Sequence, residues 1–255
     1  MLRAIDHLVI VVPDLLAATK TYRDLGFTVV AGGRHPGVGT DNALIAFRDA
    51  SYLELVAFHE TRPDHRWWAP LHRGGGLVDF CLQTDDLAGD AGVFRRAGVD
   101  MGEPERRHRQ RPDGAEVRWT CVLARGEQRG VAPFLIAEET GRDARVPPPG
   151  PHANGVTGIG RMTVAVRDLV VVRRWYADAL GVSGEDVASP ELGAAGARFA
   201  IGPHTFEFLA PTGAGPIRDW VTTRGASPYA ATLVGAARPI PLDLNQTWGA
   251  RLALA

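Results

Sequence analysis

The sequence predicts an α+β fold assembled from copies of a strand–helix–strand–strand–strand unit. Two observations carry that expectation. Three stretches of the chain align at fixed offsets, and each is followed by short runs suited to strands. The segment from His7 to Phe27 matches Asp79 to Val99 at an offset of 72 and Arg161 to Val182 at an offset of 154.

Each copy opens on a β-branched apolar run, expected as a strand over Ile5–Val12, Val78–Thr84 and Gly160–Val166. Asp14, Asp86 and Asp168 then stand where a carboxylate caps a helix, accepting backbone N–H groups that lack a partner. In the first helix Leu15, Ala18, Tyr22 and Leu25 recur at helical spacing; Tyr22 falls on Phe94 and Tyr176 in the other copies. Gly26, Gly98 and Gly181 mark the helix ends. Further strands are expected at Phe27–Val30, Ala43–Phe47 and Tyr52–Phe58, and at Ala197–Ile201 and His204–Leu209 in the third copy. A fourth, shortened copy spans Pro228–Val234 and Ala250–Ala255. The Pro- and Gly-rich stretch Arg145–Asn154 reads as a linker between domains 1–144 and 155–255. The competing explanation is unrelated strand–helix units that share ordinary capping rules.

Twenty-eight basic and 29 acidic side chains leave a net charge of −1, without the basic footprint of a nucleic-acid or anionic-membrane binder. No apolar run approaches the roughly 18 residues that span a bilayer. Two cysteines, Cys81 and Cys121, cannot build a disulfide framework and fit a reducing compartment. The opening MLRAIDHLVIVV is an apolar strand with an acidic interruption and lacks the cleavage pattern of a signal peptide. The expectation is a cytoplasmic protein whose partner is a small molecule, with a homodimer as one permitted assembly.

DHLVIVVPDL, RHPGVGTDNALIAF, YLELVAF and GGLVDFCLQTDDL resemble the glyoxalase-like branch of the vicinal oxygen chelate superfamily. The resemblance implies βαβββ modules whose curved mixed sheets form incomplete barrels around a cavity. It also implies metal ligands on the first and last strands of each module, here His7, Glu54 and Asp79. An imidazole beside carboxylates suits Mn, Fe, Zn or Mg. Asp79 stands where metal-binding members carry histidine, so a chain without metal is the other expectation. The last strand of the second module, APFLIAEE, is apolar where a fourth ligand would lie, unless a register slip brings in Glu138. In the second half only Glu207 matches Glu54, while Arg161 and Ala230 replace the histidine, so an Arg161–Glu207 ion pair is expected instead.

The segment Arg34–Asn42 reads as a tight loop placing His35 and Asn42 near a ligand, or as a hairpin satisfying its own backbone. Trp67 and Trp68 suit an apolar or aromatic substrate wall, though filling the seam between modules is the simpler role. The run Arg106–Arg111 is read first as a solvated strand edge, and second as cations alternating toward an anionic ligand. Two functions compete, with a purely structural or regulatory module as a third. One is a metal-assisted lyase, isomerase or dioxygenase with Glu54 as metal ligand or base. The other is a protein that sequesters an aromatic or drug-like compound. The His7–Glu54 pair favours the first; the missing second-module histidine favours the second.

Overall fold

An aspartate closes a strand and opens a helix three times in this chain. In the computed structural model, which describes residues 1–236 and 238–255, Asp14 Oδ1 accepts from Ala17 N at 3.0 Å. Asp86 and Asp168 do the same for Gly89 N and Val171 N, at 2.9 and 3.0 Å. The first unit is β1 (Leu2–Val11), α1 (Leu15–Asp24), β2 (Val30–His35), β3 (Thr40–Ala46) and β4 (Tyr52–Phe58). After α2 (Trp68–His72) the second follows as β5 (Gly76–Thr84), α3 (Leu87–Arg96), β6 (Glu105–Gln110), β7 (Glu116–Val122) and β8 (Phe134–Glu138). Beyond α4 (Arg142–Arg145) come β9 (Gly158–Ala165), α5 (Leu169–Leu180), β10 (Glu185–Ser189), β11 (Ala194–Ile201) and β12 (His204–Pro211). The shortened unit is α6 (Pro216–Arg224), β13 (Ser227–Val234), β14 (Ile240–Pro241) and β15 (Leu252–Leu254). Gly181 ends α5 in the left-handed conformation at φ 69°, which a side chain would disfavour.

One expected strand is displaced. Phe27 and Val29 are buried but lie before β2, and Phe27 N is spent on Tyr22 O at the end of α1. Strand pairing therefore starts only at Val30 and runs on through His35. The expected loop Arg34–Asn42 is accordingly a hairpin: Arg34 and His35 end β2, Thr40–Asn42 begin β3, and only Pro36–Gly39 turn.

The first two units close into an eight-stranded barrel of order β1-β4-β3-β2-β6-β7-β8-β5, where an incomplete barrel was expected. Closure depends on a short β2–β6 contact, the Arg34↔Gln110 pair. The second half stays open as β10-β11-β12-β9-β13-β15-β14. In both halves the opening strands of successive units pair antiparallel around a pseudo-two-fold. Leu8 lies opposite Phe80, its repeat counterpart, and the register is symmetric about that pair. Each such strand also carries a bulge at the same repeat position. Ile5 pairs with Leu82 and His7 with Cys81, so Asp6 is extra; Val78, Gly160 and Tyr229 are skipped in the same way.

The helix-facing sides of the two sheets share one apolar core in which the repeat-equivalent Tyr22, Phe94 and Tyr176 are fully buried. Burying each such ring is worth roughly 1.5–3 kcal/mol. The two tyrosine hydroxyls lace the halves together: Tyr22 donates to Thr247 O at 3.1 Å and Tyr176 to Val131 O at 2.8 Å. That leaves the concave face of the barrel free for a site. No helix among the described residues is long and apolar enough to cross a membrane.

Candidate active site

The bulge at Asp6 sets the chemistry. Strict alternation would send Asp6 and His7 to opposite faces, but an extra residue turns neighbours to the same side. Asp6 Oδ1 thus lies 2.7 Å from His7 Nδ1, both groups buried. The other ring nitrogen, Nε2, lies 3.3 Å from Glu54 Oε2 on the neighbouring β4. Tyr52 stacks on the imidazole at 4.5 Å and Phe134 meets it edge-on at 5.2 Å, which fixes the ring plane. Behind Asp6, Arg145 Nη2 donates to both carboxylate oxygens at 2.9 and 3.1 Å, and Arg142 adds a further bond. Arg145 also donates to the Tyr52 hydroxyl and to Glu138, both at 2.6 Å. The result is a row of alternating charge running Glu54, His7, Asp6, Arg145, Glu138.

Burial alone would neutralise these groups, and their neighbours prevent it. Burial pushes Asp6 up, yet Arg145 and the His7 bond outweigh it and hold the carboxyl well below its usual range. Burial pulls His7 down, but its bonds to Asp6 and Glu54 raise it above its ordinary value. Glu54 is opposed by burial and brought down to about 2 by the His7 bond and charge. The His7 ring thus faces a carboxylate at each nitrogen, an arrangement that favours its protonated form.

Asn42 and His35 flank Glu54. Asn42 Nδ2 donates to Glu54 Oε1 at 2.6 Å, and the amide fits only because Gly32 is bare: a Cβ there would come within 2.1 Å of Asn42 Oδ1. Asn42 thus holds Glu54, while His35 lines the cavity itself. His35 Nδ1 pairs with Thr40 Oγ1 at 3.0 Å and Nε2 stands 3.9 Å from Glu54 Oε1. Burial, joined by Arg109 and Arg107, drives His35 down to about 4, so it is neutral at physiological pH. The cavity has a volume of about 370 Å³, with Trp67, Trp119 and Phe134 among its apolar walls. That size falls within the range of small-molecule pockets. Trp68 is elsewhere, packed edge-on against Phe58 at 5.0 Å.

Asp79 does not join His7 and Glu54. The pseudo-two-fold places it opposite Val9, and the residue facing His7 across the ladder is Cys81. Asp79 instead accepts from Trp67 Nε1 at 2.9 Å, lies 2.7 Å from Arg66 Nη2, and faces a second cavity. Phe134 pairs with Cys81 as Glu54 pairs with Val9, so it occupies the second-module counterpart of Glu54. Glu138, the conditional substitute, is spent on Arg145. Asp6, His7 and Cys81 do bring three ligand-type atoms within 4.8 Å of one another, a group that could hold a metal ion. Its donors are already engaged: the arginines take the Asp6 oxygens, and burial pushes the Cys81 thiol well up, keeping it protonated. The residues present thus fit the four-residue metal set of the resemblance poorly.

The basic run also departs from its first reading. On β6 the alternation turns Arg107 and Arg109 into the cavity, and Arg109 is 3 % exposed. In the second half Arg161 does reach Glu207, at 3.4 Å, but Arg198 on β11 binds it more closely at 2.7 Å. Asp6, Tyr52 and Arg145 were not foreseen as parts of the site, while Arg109 belongs to the second reading of the basic run. Alternation along β6 was the signal available for Arg109; nothing local marks Arg145.

The fold and the family match define a protein of the vicinal oxygen chelate class. The glyoxalase-like domain family matches residues 5–180, and the chain belongs to that family. Comparison with curated proteins gives no match. Among solved structures, a hypothetical protein from Staphylococcus aureus is 13% identical with a TM-score of 0.71, the match covering 100% of this chain and 99% of that one. A mutant 4-hydroxymandelate synthase from Streptomyces coelicolor is 18% identical with a TM-score of 0.61, covering 98% and 75%. Methylmalonyl-CoA epimerase from the same organism is 27% identical with a TM-score of 0.45, covering 55% of this chain and 97% of its own. At such identities the first two likenesses show the fold alone.

Proposed function

We propose that the barrel cavity binds a small molecule and relocates a proton on it, as an isomerase or lyase does, with Glu54 as base and His7 as acid. The observation that carries this reading is the cavity-lining His7 imidazole, held at 2.7 Å from the buried Asp6 behind it and 3.3 Å from Glu54 beside it in the wall. Asp6 and Arg145 fix the ring and its charge, as a carboxylate behind a catalytic histidine does. A substrate oxygen that takes the His7 Nε2 hydrogen bond removes the contact that holds Glu54 low. Glu54 then gains basicity as the substrate proton comes within its reach, while the imidazolium stabilises the developing oxyanion. Cys81 and Asp79 take no part, and the transfer needs no metal ion.

Proton NMR in D2O tests the reading on a panel of small aldehydes, ketones and hydroxy acids. Wild-type protein should catalyse deuterium entry next to the carbonyl or carboxyl of at least one, and Glu54→Gln should slow it at least about 100-fold, the usual scale of general-base catalysis. Equal exchange in the two proteins would refute the assignment. The aromatic walls favour a second reading, sequestration of an aromatic compound, which predicts tight binding with no exchange at all.

A further inference from the structure

Arg109 is a buried cation without a counter-ion. It is 3 % exposed; its Nη2 donates to the carbonyl of Arg145 at 2.6 Å, and its Nε has no hydrogen-bond partner. Among the described residues no carboxylate forms an ion pair with it, whereas Arg107 pairs with Glu105 and Arg66 with Asp79. Burying a guanidinium this way is costly unless an anion completes it. The surroundings point the same way. Six arginines line the cavity against three acidic side chains, so the space carries an excess of positive charge even with its own pairs made. Arg66, stacked 6.0 Å from the Phe134 ring, has a second buried Nε without a partner.

We infer that the substrate of this cavity is a small carboxylate, anchored by the Arg109 guanidinium with its apolar or aromatic body against Trp67, Trp119 and Phe134. The inference rests on the reading of the barrel cavity as the substrate site, and narrows the substrate's class. A planar carboxylate matches the fork of a guanidinium, which presents Nε–H and Nη–H in one plane. Arg109, Glu54 and His7 line the same cavity, so a carboxylate held by Arg109 shares that space with the Glu54–His7 pair.

Calorimetric titration with benzoate and salicylate, against benzamide, inorganic phosphate and sulfate, tests the inference. The carboxylates should bind and the amide should not. Arg109→Gln should weaken carboxylate binding by at least about tenfold, roughly 1.4 kcal/mol, while leaving the melting temperature equal or higher, because an uncompensated charge is gone. Arg109→Lys keeps the charge without the fork and should recover only part of the affinity. Unchanged carboxylate binding in Arg109→Gln with a lowered melting temperature would overturn the inference and make Arg109 a brace for the Arg145 carbonyl. Preference for phosphate or sulfate over carboxylate would overturn it as well. Deuterium exchange on a neutral ketone that survives Arg109→Gln, with no carboxylate binding, would sink the substrate class and leave the Glu54–His7 reading standing.

Discussion

Asp6→Asn changes one atom type in a fully buried side chain and should be among the most damaging conservative substitutions in this chain. The carboxylate accepts from His7 at 2.7 Å, from Arg145 at 2.9 and 3.1 Å, and from Arg142. Breaking one side of a buried ion pair costs about 3–5 kcal/mol. Arg145 keeps Glu138 and the Tyr52 hydroxyl, so the lower end applies, about 3 kcal/mol. For a chain of this length 1 kcal/mol moves the midpoint by about 2–4 °C, which gives a fall of roughly 6–12 °C. Circular-dichroism melts and urea titration at pH 6.5 measure it. A second readout is specific to the charge row: without Asp6, His7 loses its strongest support, and its titration, followed by imidazole NMR, should move down. The Asp6→Asn/Arg145→Gln pair should lose less than the sum of its single variants. A stability loss below about 1 kcal/mol with an unmoved His7 titration would show that the row does not hold the site together.

Stability should peak near pH 6.5. His35 stays neutral down to about 4 in the fold but protonates near 6.5 when unfolded, so stability rises with pH between those values, by on the order of 3 kcal/mol in full. Glu54, lowered to about 2, contributes above its ordinary 4.5 and loses that contribution as pH falls toward 2. His7 is raised, so its contribution is complete below 6.5 and is lost as pH climbs through its shifted value. Melts from pH 4.5 to 8.5 should show the dome, and His35→Asn should flatten its acid limb; an identical limb would contradict the assignment. The tryptophans should separate as well. Trp67→Phe should weaken ligand binding because Trp67 lines the cavity and holds Asp79, whereas Trp68→Phe should leave affinity within about twofold and affect only packing against Phe58. Titration of both variants with the same ligand checks this, and equal losses would refute it.

The helical framework was legible because capping is local. Asp14, Asp86 and Asp168 each bond a backbone N–H three residues on, and no distant residue is needed to see it. His7 and Glu54 were legible through their strands and His35 through its loop; the Arg161–Glu207 contact was expected from the cost of burying either charge alone, although Arg161 is exposed. What alternation could not show is the bulge. A period-2 reading sends Asp6 away from His7, so the acid in the opening strand looked like an interruption. The Asp79 expectation failed for a related reason. Matching positions in two repeats are related by the two-fold, so they flank its axis; they do not face each other, and Cys81 meets His7 instead. Arg145 was read as the start of a linker because Pro and Gly follow it. Its partner Asp6 lies 139 residues away, a pairing that composition does not encode. Arg109 was readable through alternation, and that reading ranked second because a charged strand is more often an edge.

The bulge repeated at Asp6, Val78, Gly160 and Tyr229 makes the backbone a standard fitting and the side chains interchangeable parts. Every opening strand carries its extra residue at the same place, and this chain has filled that residue and the next, a two-place seat, as Asp–His, Val–Asp, Gly–Arg and Tyr–Ala. The helix-facing residues on either side of the seat are untouched by the choice. The charge at that seat can therefore differ between copies while the backbone stays the same. One duplicated scaffold can in this way carry a charged relay in one half and an inert or ion-paired wall in the other.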